Sequence, residues 1–364
     1  MTTAVAESPA LRRRTRINVS ALLVEGRAFL ALIITVLIFS ALTPKFLTGD
    51  NLIIMSRHVA FNATIAIGLL MVILNGGIDL SVGSTVGLSG VVAGYLLQGA
   101  NIPFTDATAY PAVWVVVILS LVVGALIGVI NGLVITYLKV APFIATLGML
   151  YVARGLALVI TNGTTFNDLR GEPELGNTGF VRVLASRPLG IPMPIWVMVA
   201  VAVVFSVLLT RMPFGRWLYA SGGNARAAEL SGVPIGRVQI LVYVFSGVCA
   251  AAVGLLLAAD LPAATPRGGE FYELNAIAAV VMGGAALSGG RGTVRGTLIG
   301  AFLIGFLVDG LVLIGVSTFW QQVVKGAVII LAVAVDQIQE AVQRRTAGTK
   351  AARAAADRTP TISS

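Results

Sequence analysis

The sequence predicts an all-α membrane protein of about ten transmembrane helices, and three observations carry that prediction. Of the 364 residues, 57% are hydrophobic and only 11% are charged, against about 25% charged in a soluble domain. The mean hydropathy of +0.93 comes from apolar runs too long for strands or amphipathic surface helices. The net charge of +9 would raise nucleic acid as a partner in a soluble protein. Here it follows membrane topology, and no nucleic acid is expected.

A span needs about 20 mostly apolar residues. The runs that meet this, some of them short, are Ala28–Thr43, Leu52–Leu74, Ile78–Leu97, Ala112–Tyr137, Ala141–Thr161, Met193–Thr210, Val238–Asp260, Asn275–Leu287, Val294–Ile314 and Thr318–Val335. The tail 1–27 carries Arg12, Arg13, Arg14 and Arg16. The first run has no small-residue cleavage site after it and reads as a retained span, not a signal peptide. Lys45, Arg57, Arg170, Arg182, Arg187 and Arg267 fall on one side of the membrane, and Arg154 and Lys325 fall within spans. All the other basic residues lie on the side of the N-terminus, a bias that puts both termini in the cytoplasm.

Three stretches exceed a tight turn. Asn162–Pro192 is extracytoplasmic, rich in Gly, Pro and Asn, and long enough for a docking surface. Arg211–Arg237 is cytoplasmic and basic. The tail 337–364 lacks large apolar residues and is expected to be disordered. The domain organisation is thus an N-terminal tail, a membrane domain over 28–336 and a C-terminal tail, with no soluble catalytic domain. A single cysteine, Cys249, and a single histidine, His58, exclude a disulfide framework and a Cys/His metal site from this chain alone.

Polar and glycine-rich interruptions mark the functional candidates. Asn75-Gly76-Gly77-Ile78-Asp79-Leu80-Ser81-Val82-Gly83-Ser84 separates the second and third runs, and Gly283-Gly284-Ala285-Ala286-Leu287-Ser288-Gly289-Gly290 repeats its Gly-Gly-x-x-Leu-Ser-x-Gly arrangement between the eighth and ninth. Matched glycine-interrupted segments in two halves of a transporter point to its substrate path. A tight turn with Asp79 or Ser81 capping the next helix is the plainer alternative. Asn62, Asn75, Asp79, Ser81, Ser84, Asn131 and Asn275 are candidate groups along a path, and each is equally able to pack helices together.

Charged residues within spans are costly and face a cavity or a partner. Asp309 and Lys325 lie at similar distances from the outer ends of their spans, so an intramembrane ion pair is expected. In the cytoplasmic stretch, Asn224-Ala225-Arg226-Ala227-Ala228-Glu229-Leu230-Ser231-Gly232-Val233-Pro234 reads as a short helix with Asn224 as N-cap and Gly232 and Pro234 as stop signals. It is too short to be stable alone and reads as a socket for a partner or as a solvated connector. No lysine follows a glycine, so the chain has no phosphate-binding loop of the Gly-Lys-Ser/Thr type. Energy for uphill transport would come from another subunit or from an ion gradient.

Four passages, in order, carry a family likeness: Asn75–Ser84, Leu218–Pro234, Tyr272–Arg291 and Phe319–Asp336. With them the chain resembles the ribose/xylose/galactose-type sugar permeases of bacterial ATP-binding-cassette importers, from about Ala28 to Asp336. The resemblance implies an importer permease fold of ten helices with broken helices, in the bacterial inner membrane. It implies four partners besides the lipid bilayer: a second permease chain, identical or paralogous, two cytoplasmic ATPases holding ATP and magnesium, and an extracytoplasmic sugar-binding protein. It implies no cofactor and no catalysis in this chain. The ATPase-coupling loop of the family corresponds to Asn224, Arg226, Ala227, Ala228, Glu229 and Gly232. Arg226 stands where relatives often have Glu, and Asn275 where many have Asp. The function implied is passage of a monosaccharide delivered by the binding protein. Import of another small polar solute, a polyol or an amino acid, uses the same machinery. An ion-gradient-driven secondary transporter is the rival of a different class, and an intramembrane enzyme lacks any catalytic constellation.

Overall fold

A computed structural model describes residues 26–101, 107–331 and 334. Ala28–Thr43 becomes α1 (Arg27–Leu42), followed by α2 (Gly49–Leu74), α3 (Val82–Gln98), α4 (Val113–Tyr137) and α5 (Pro142–Thr161). After a loop with a short helix over Phe180–Leu184 come α6 (Met193–Arg211), α7 (Pro213–Gly223), α8 (Ala225–Leu230) and α9 (Ile235–Asp260). The chain continues through α10 (Tyr272–Met282), α11 (Val294–Leu313) and the apolar helix α12 (Thr318–Leu331). Six of these helices are long and apolar enough to cross a membrane, and α1, α3, α10 and α12 are shorter apolar helices. Every predicted run thus contains a helix, and the fold is an all-α membrane permease. The tails 1–25 and 337–364 lie outside the described residues.

The centre is built from α2 and α9. Along α2, everything from Ala63 to Leu74 is buried, which a helix that is apolar all round requires of its neighbours. It packs against α9, α11, α10 and α6, while α9 also packs against α4 and α3. Small residues allow this closeness: Gly124 and Gly128 of α4 meet the backbone of α9 at Gly247 and Tyr243. By contrast α5 is peripheral, and Phe143, Ile144, Tyr151, Val152 and Val159 present an apolar outer face.

Two spans are only half helical, and here the predicted boundaries move. The third run was expected to be helical from Ile78, but α3 begins at Val82 because Asp79 takes the Ser81 backbone N–H at 3.0 Å and closes a local turn that excludes 75–81 from the helix. The eighth run was expected over Asn275–Leu287. Instead α10 starts at Tyr272, behind Phe271 in the left-handed region (φ 66°), and ends at Met282, where Gly283 and Gly284 (φ 88°) stop it. The half of this span that precedes α10 is non-helical backbone. It begins with Ala263–Ala264 pairing antiparallel with Phe166–Asn167.

Candidate functional site

The inner break is a closed polar network. The Asp79 carboxylate accepts from the Ser81 hydroxyl (2.6 Å) and backbone N–H (3.0 Å) through Oδ1, and from the Ser246 hydroxyl of α9 (2.9 Å) through Oδ2. Asn131 of α4 donates Nδ2 to the Ser81 hydroxyl at 3.0 Å. Ser84 and Thr85 turn back onto the Ser81 carbonyl, each at 2.8 Å. The candidates Asp79, Ser81, Ser84 and Asn131 therefore converge on one buried cluster, and each is at most 2% exposed. The cluster lies midway along α9, since Ser246 is eleven residues from its start at Ile235. Tyr243 of α9 packs on Gly77, and its buried hydroxyl has no hydrogen-bond partner among the described residues. Ser246 and Tyr243 escaped the sequence reading because nothing local distinguishes them inside an apolar helix.

At the end of α2, the two matched glycine segments come together. The Gly290 N–H donates to the Leu74 carbonyl at the end of α2 (2.9 Å), and Gly289 packs on Gly76. α7 wedges into this junction: Gly222 abuts Leu74 and Gly290, the Ser221 hydroxyl donates to Asn75 Oδ1 (2.9 Å), and the Tyr219 hydroxyl donates to the Gly292 carbonyl (2.8 Å). A Cβ at Gly222 would collide with the Leu74 carbonyl, so only glycine admits the approach. One helix therefore touches both glycine segments. It leads straight into α8.

α8 has the expected cap, with Asn224 Oδ1 accepting from the Ala227 N–H at 3.0 Å. Gly232 (φ 84°) ends it, and the Val233 N–H closes on the Ala228 carbonyl at 3.0 Å. Of its residues only Ala228 is buried; Arg226, Ala227 and Glu229 are exposed, and Leu230 is 81% exposed. A six-residue helix with one buried side chain has too little packing of its own to be a rigid terminus.

The outer break runs down a stripe of α3. Ala264 packs on Gly94, Pro266 and Gly268 on Gly87, and Gly269 on Gly83, so the segment descends the helix as its numbering rises. Gly83 is fifteen residues from the outer end of α3, about 22 Å at 1.5 Å per residue. Backbone polar groups at that depth need partners. Arg154 of α5 supplies two, donating Nη1 to the carbonyls of Pro266 and Gly268. The starts of α3 and α10 consequently meet inside the protein, and the helical halves of the two broken spans run in opposite directions from that meeting point.

The remaining candidates are dispersed. Asn62 lies in α2 with a buried Oδ1 that has no partner among the described residues, and Asn275 is half-buried in the first turn of α10. The expected Asp309–Lys325 ion pair is not formed. Asp309 instead accepts from Nδ2 of Asn51 at 3.0 Å, across the interface of α11 and α2. Residue count fixes depth along a helix but not the direction a side chain faces, and Asp309 faces α2. The nearest thing to that expectation is an ion pair between Arg57 of α2 and Asp260 of α9, at 2.9 Å. Among the described residues no three of His, Cys, Asp and Glu converge as metal ligands would.

Residues 51–333 match the family described as branched-chain amino acid transport system / permease component. The ribose import permease protein of Bacillus subtilis (strain 168) is 46% identical over 327 residues, covering 90% of this chain and 97% of that protein. The ribose import permease protein of Escherichia coli (strain K12) is 41% identical over 86% of this chain and 94% of its own length. The galactose/methyl galactoside import permease protein of the same strain is 38% identical over 87% and 95%. No solved structure matches. With its predicted spans formed and the match running from α2 to the end of α12, the chain belongs to this family of transport-system permease components.

Proposed function

We infer that this chain is the membrane permease of an ATP-driven importer for a monosaccharide of the ribose, xylose or galactose class. Relatives at 38–46% identity over nearly their whole length carry ribose and galactose import in their names, and this supports the sugar class. The single observation that carries the mechanism is the continuity from α8 through α7 to the two glycine segments. An exposed, capped helix is joined to an element that touches both glycine segments.

In this reading a cytoplasmic ATPase seats on Asn224, Arg226, Ala227, Ala228, Glu229 and Gly232, and its ATP and magnesium stay in that subunit. Closure of the ATPase pair moves α8, and α7 transmits the shift to Asn75 and Gly292 at the inner mouth. A binding protein docks on the outer loops, Asn162–Pro192 among them, and delivers the sugar to a path shared with a second permease chain. The chain itself catalyses no reaction. It lies in the bacterial inner membrane with both termini in the cytoplasm, as its basic residues favour.

The test is reconstitution in proteoliposomes with and without the ATPase and the binding protein. Sugar uptake should require both, together with ATP, and vanadate should arrest it. Concentrative uptake by the chain alone, driven by a sodium or proton gradient, would overturn the reading in favour of a secondary transporter.

A further inference from the structure

Outside the network of the inner break, a second group of charged side chains sits at bilayer depth. Arg154 lies seven residues from the outer end of α5, about 10 Å down at 1.5 Å per residue. Its Nη1 stands against Gly87 and the Glu273 carboxylate against Gly83, one turn apart on α3. Neither carboxylate comes within ion-pair distance of a cation among the described residues; Glu270 is open, Glu273 rests one side of its carboxylate on Gly83, and Arg154 spends its Nη1 on the backbone of the outer break. The two acids flank Phe271, a bulky residue held in the left-handed region and 53% exposed. One turn further, Leu274 is 49% exposed on α10. Glu270 is exposed, and Glu273 and Arg154 are half-buried.

Charges at this depth do not face hydrocarbon unless they are paired, and these are not paired with one another. Their open face therefore meets water. What it offers is specific: two carboxylates that only accept hydrogen bonds, a guanidinium that only donates them, and an apolar ring standing between. A polyol is the complementary solute. Each of its hydroxyls both donates and accepts, and the C–H face of its ring covers an aromatic surface.

We propose that Arg154, Glu270, Phe271 and Glu273 form a monosaccharide-binding wall of the translocation path. The proposal rests on the sugar-import reading and goes beyond it by assigning the residues that hold the sugar in transit. Because the wall is open on one side, the opposite side of the path belongs to the second permease chain.

The test uses the complete importer in proteoliposomes and a water-soluble, charged methanethiosulfonate reagent. The native Cys249 is buried and silent toward it. Leu274→Cys reports on the wall, and Val159→Cys, on the apolar outer face of α5, reports on lipid. We expect Leu274→Cys to be labelled much faster than Val159→Cys, and one of D-ribose, D-galactose or D-allose to slow that labelling. Adding Glu273→Gln or Glu270→Gln to Leu274→Cys should abolish the protection. Each acid substitution alone should lower uptake about tenfold, as loss of a hydrogen bond to a charged group does, while ATPase stimulation by the loaded binding protein stays near the wild-type rate. Labelling of Leu274→Cys as slow as that of Val159→Cys would overturn the proposal. So would sugar protection that survives both acid substitutions, stronger protection by L-alanine than by any of the sugars, or a parallel fall of uptake and ATPase stimulation. Import of none of the three sugars by the wild-type complex would fell the transport reading itself, whereas the labelling rates decide independently whether this face is wet.

Discussion

The two broken spans solve the same problem in opposite ways. At the inner break, Asp79 is the one charged group, and it is enclosed by three donors from two elements and shielded from solvent. At the outer break, Arg154 serves the backbone, while Glu270 is exposed and Glu273 half-buried against Gly83, neither ion-paired among the described residues. A buried polar network with every member engaged fixes one geometry. A row of unpaired charges is useful only to a solute or to water. The first break therefore works as a joint whose shape is held, and the second as a surface that is used. In this chain, polarity at membrane depth separates into structure and path according to whether its partners are internal.

The largest effect should come from opening the inner network. Asp79→Leu leaves the Ser81 N–H and two hydroxyls without their acceptor, at a cost of about 3 kcal/mol or more. We expect the variant to lose folded yield and thermal stability in detergent, with Asp79→Asn much milder because one oxygen still accepts from Ser81. Equal losses in the two variants would mean that charge at Asp79, not hydrogen bonding, holds the joint. Next comes the outer break. In Gly87→Val the new Cβ would lie 2.8 Å from the Gly268 carbonyl and from Arg154 Nη1, and the backbone there has no room to yield. The overpacking costs about 2 kcal/mol and displaces the segment that carries Glu270. Uptake should fall while the protein still inserts and binds its ATPase in a pull-down. Normal uptake by this variant would separate the outer segment from the path.

A smaller effect tests the link between the joint and α8. Ser221→Ala removes the bond from α7 to Asn75, about 1 kcal/mol. Melting should barely change, but the uptake per ATP hydrolysed should drop, since α7 then holds one of its two contacts loosely. An unchanged ratio would route coupling through Tyr219 alone.

How much of this was legible in the sequence follows from the same contrast. Every apolar run contained a helix, because a helix satisfies its own backbone and so announces itself by hydropathy alone. The cap at Asn224 and the stop at Gly232 were equally local, and both formed. The extended halves were not legible. Residues 75–77 were read as a break and 78–81 as the start of the third run, and 263–271 as an outer loop, because the partners of their carbonyls sit on α3 and α5, and no nearby residue encodes those positions. That is also why Glu270, Phe271 and Glu273 went unnoticed beside a span thought to begin at Asn275. The glycine repeat at Gly76 and Gly283 was visible, and its two copies do meet, with α7 wedged against both.

The Asp309–Lys325 expectation gives the last and smallest test, because it probes a polar residue that belongs to neither break. Asp309 accepts from Asn51 across a helix interface, and such bonds between spans are worth about 0.6 kcal/mol on average. A double-mutant cycle on thermal stability with Asp309→Ala and Asn51→Ala should return a coupling of that size. The cycle with Asp309→Ala and Lys325→Met should return none, since no ion pair joins the two among the described residues. A coupling in the second cycle and none in the first would restore the ion pair. It would also mean that α11 and α12 pack more closely in the assembled importer than in the isolated chain, bringing Lys325 to bear on the outer end of α2 and weakening the separation drawn between the two breaks and the rest of the membrane domain.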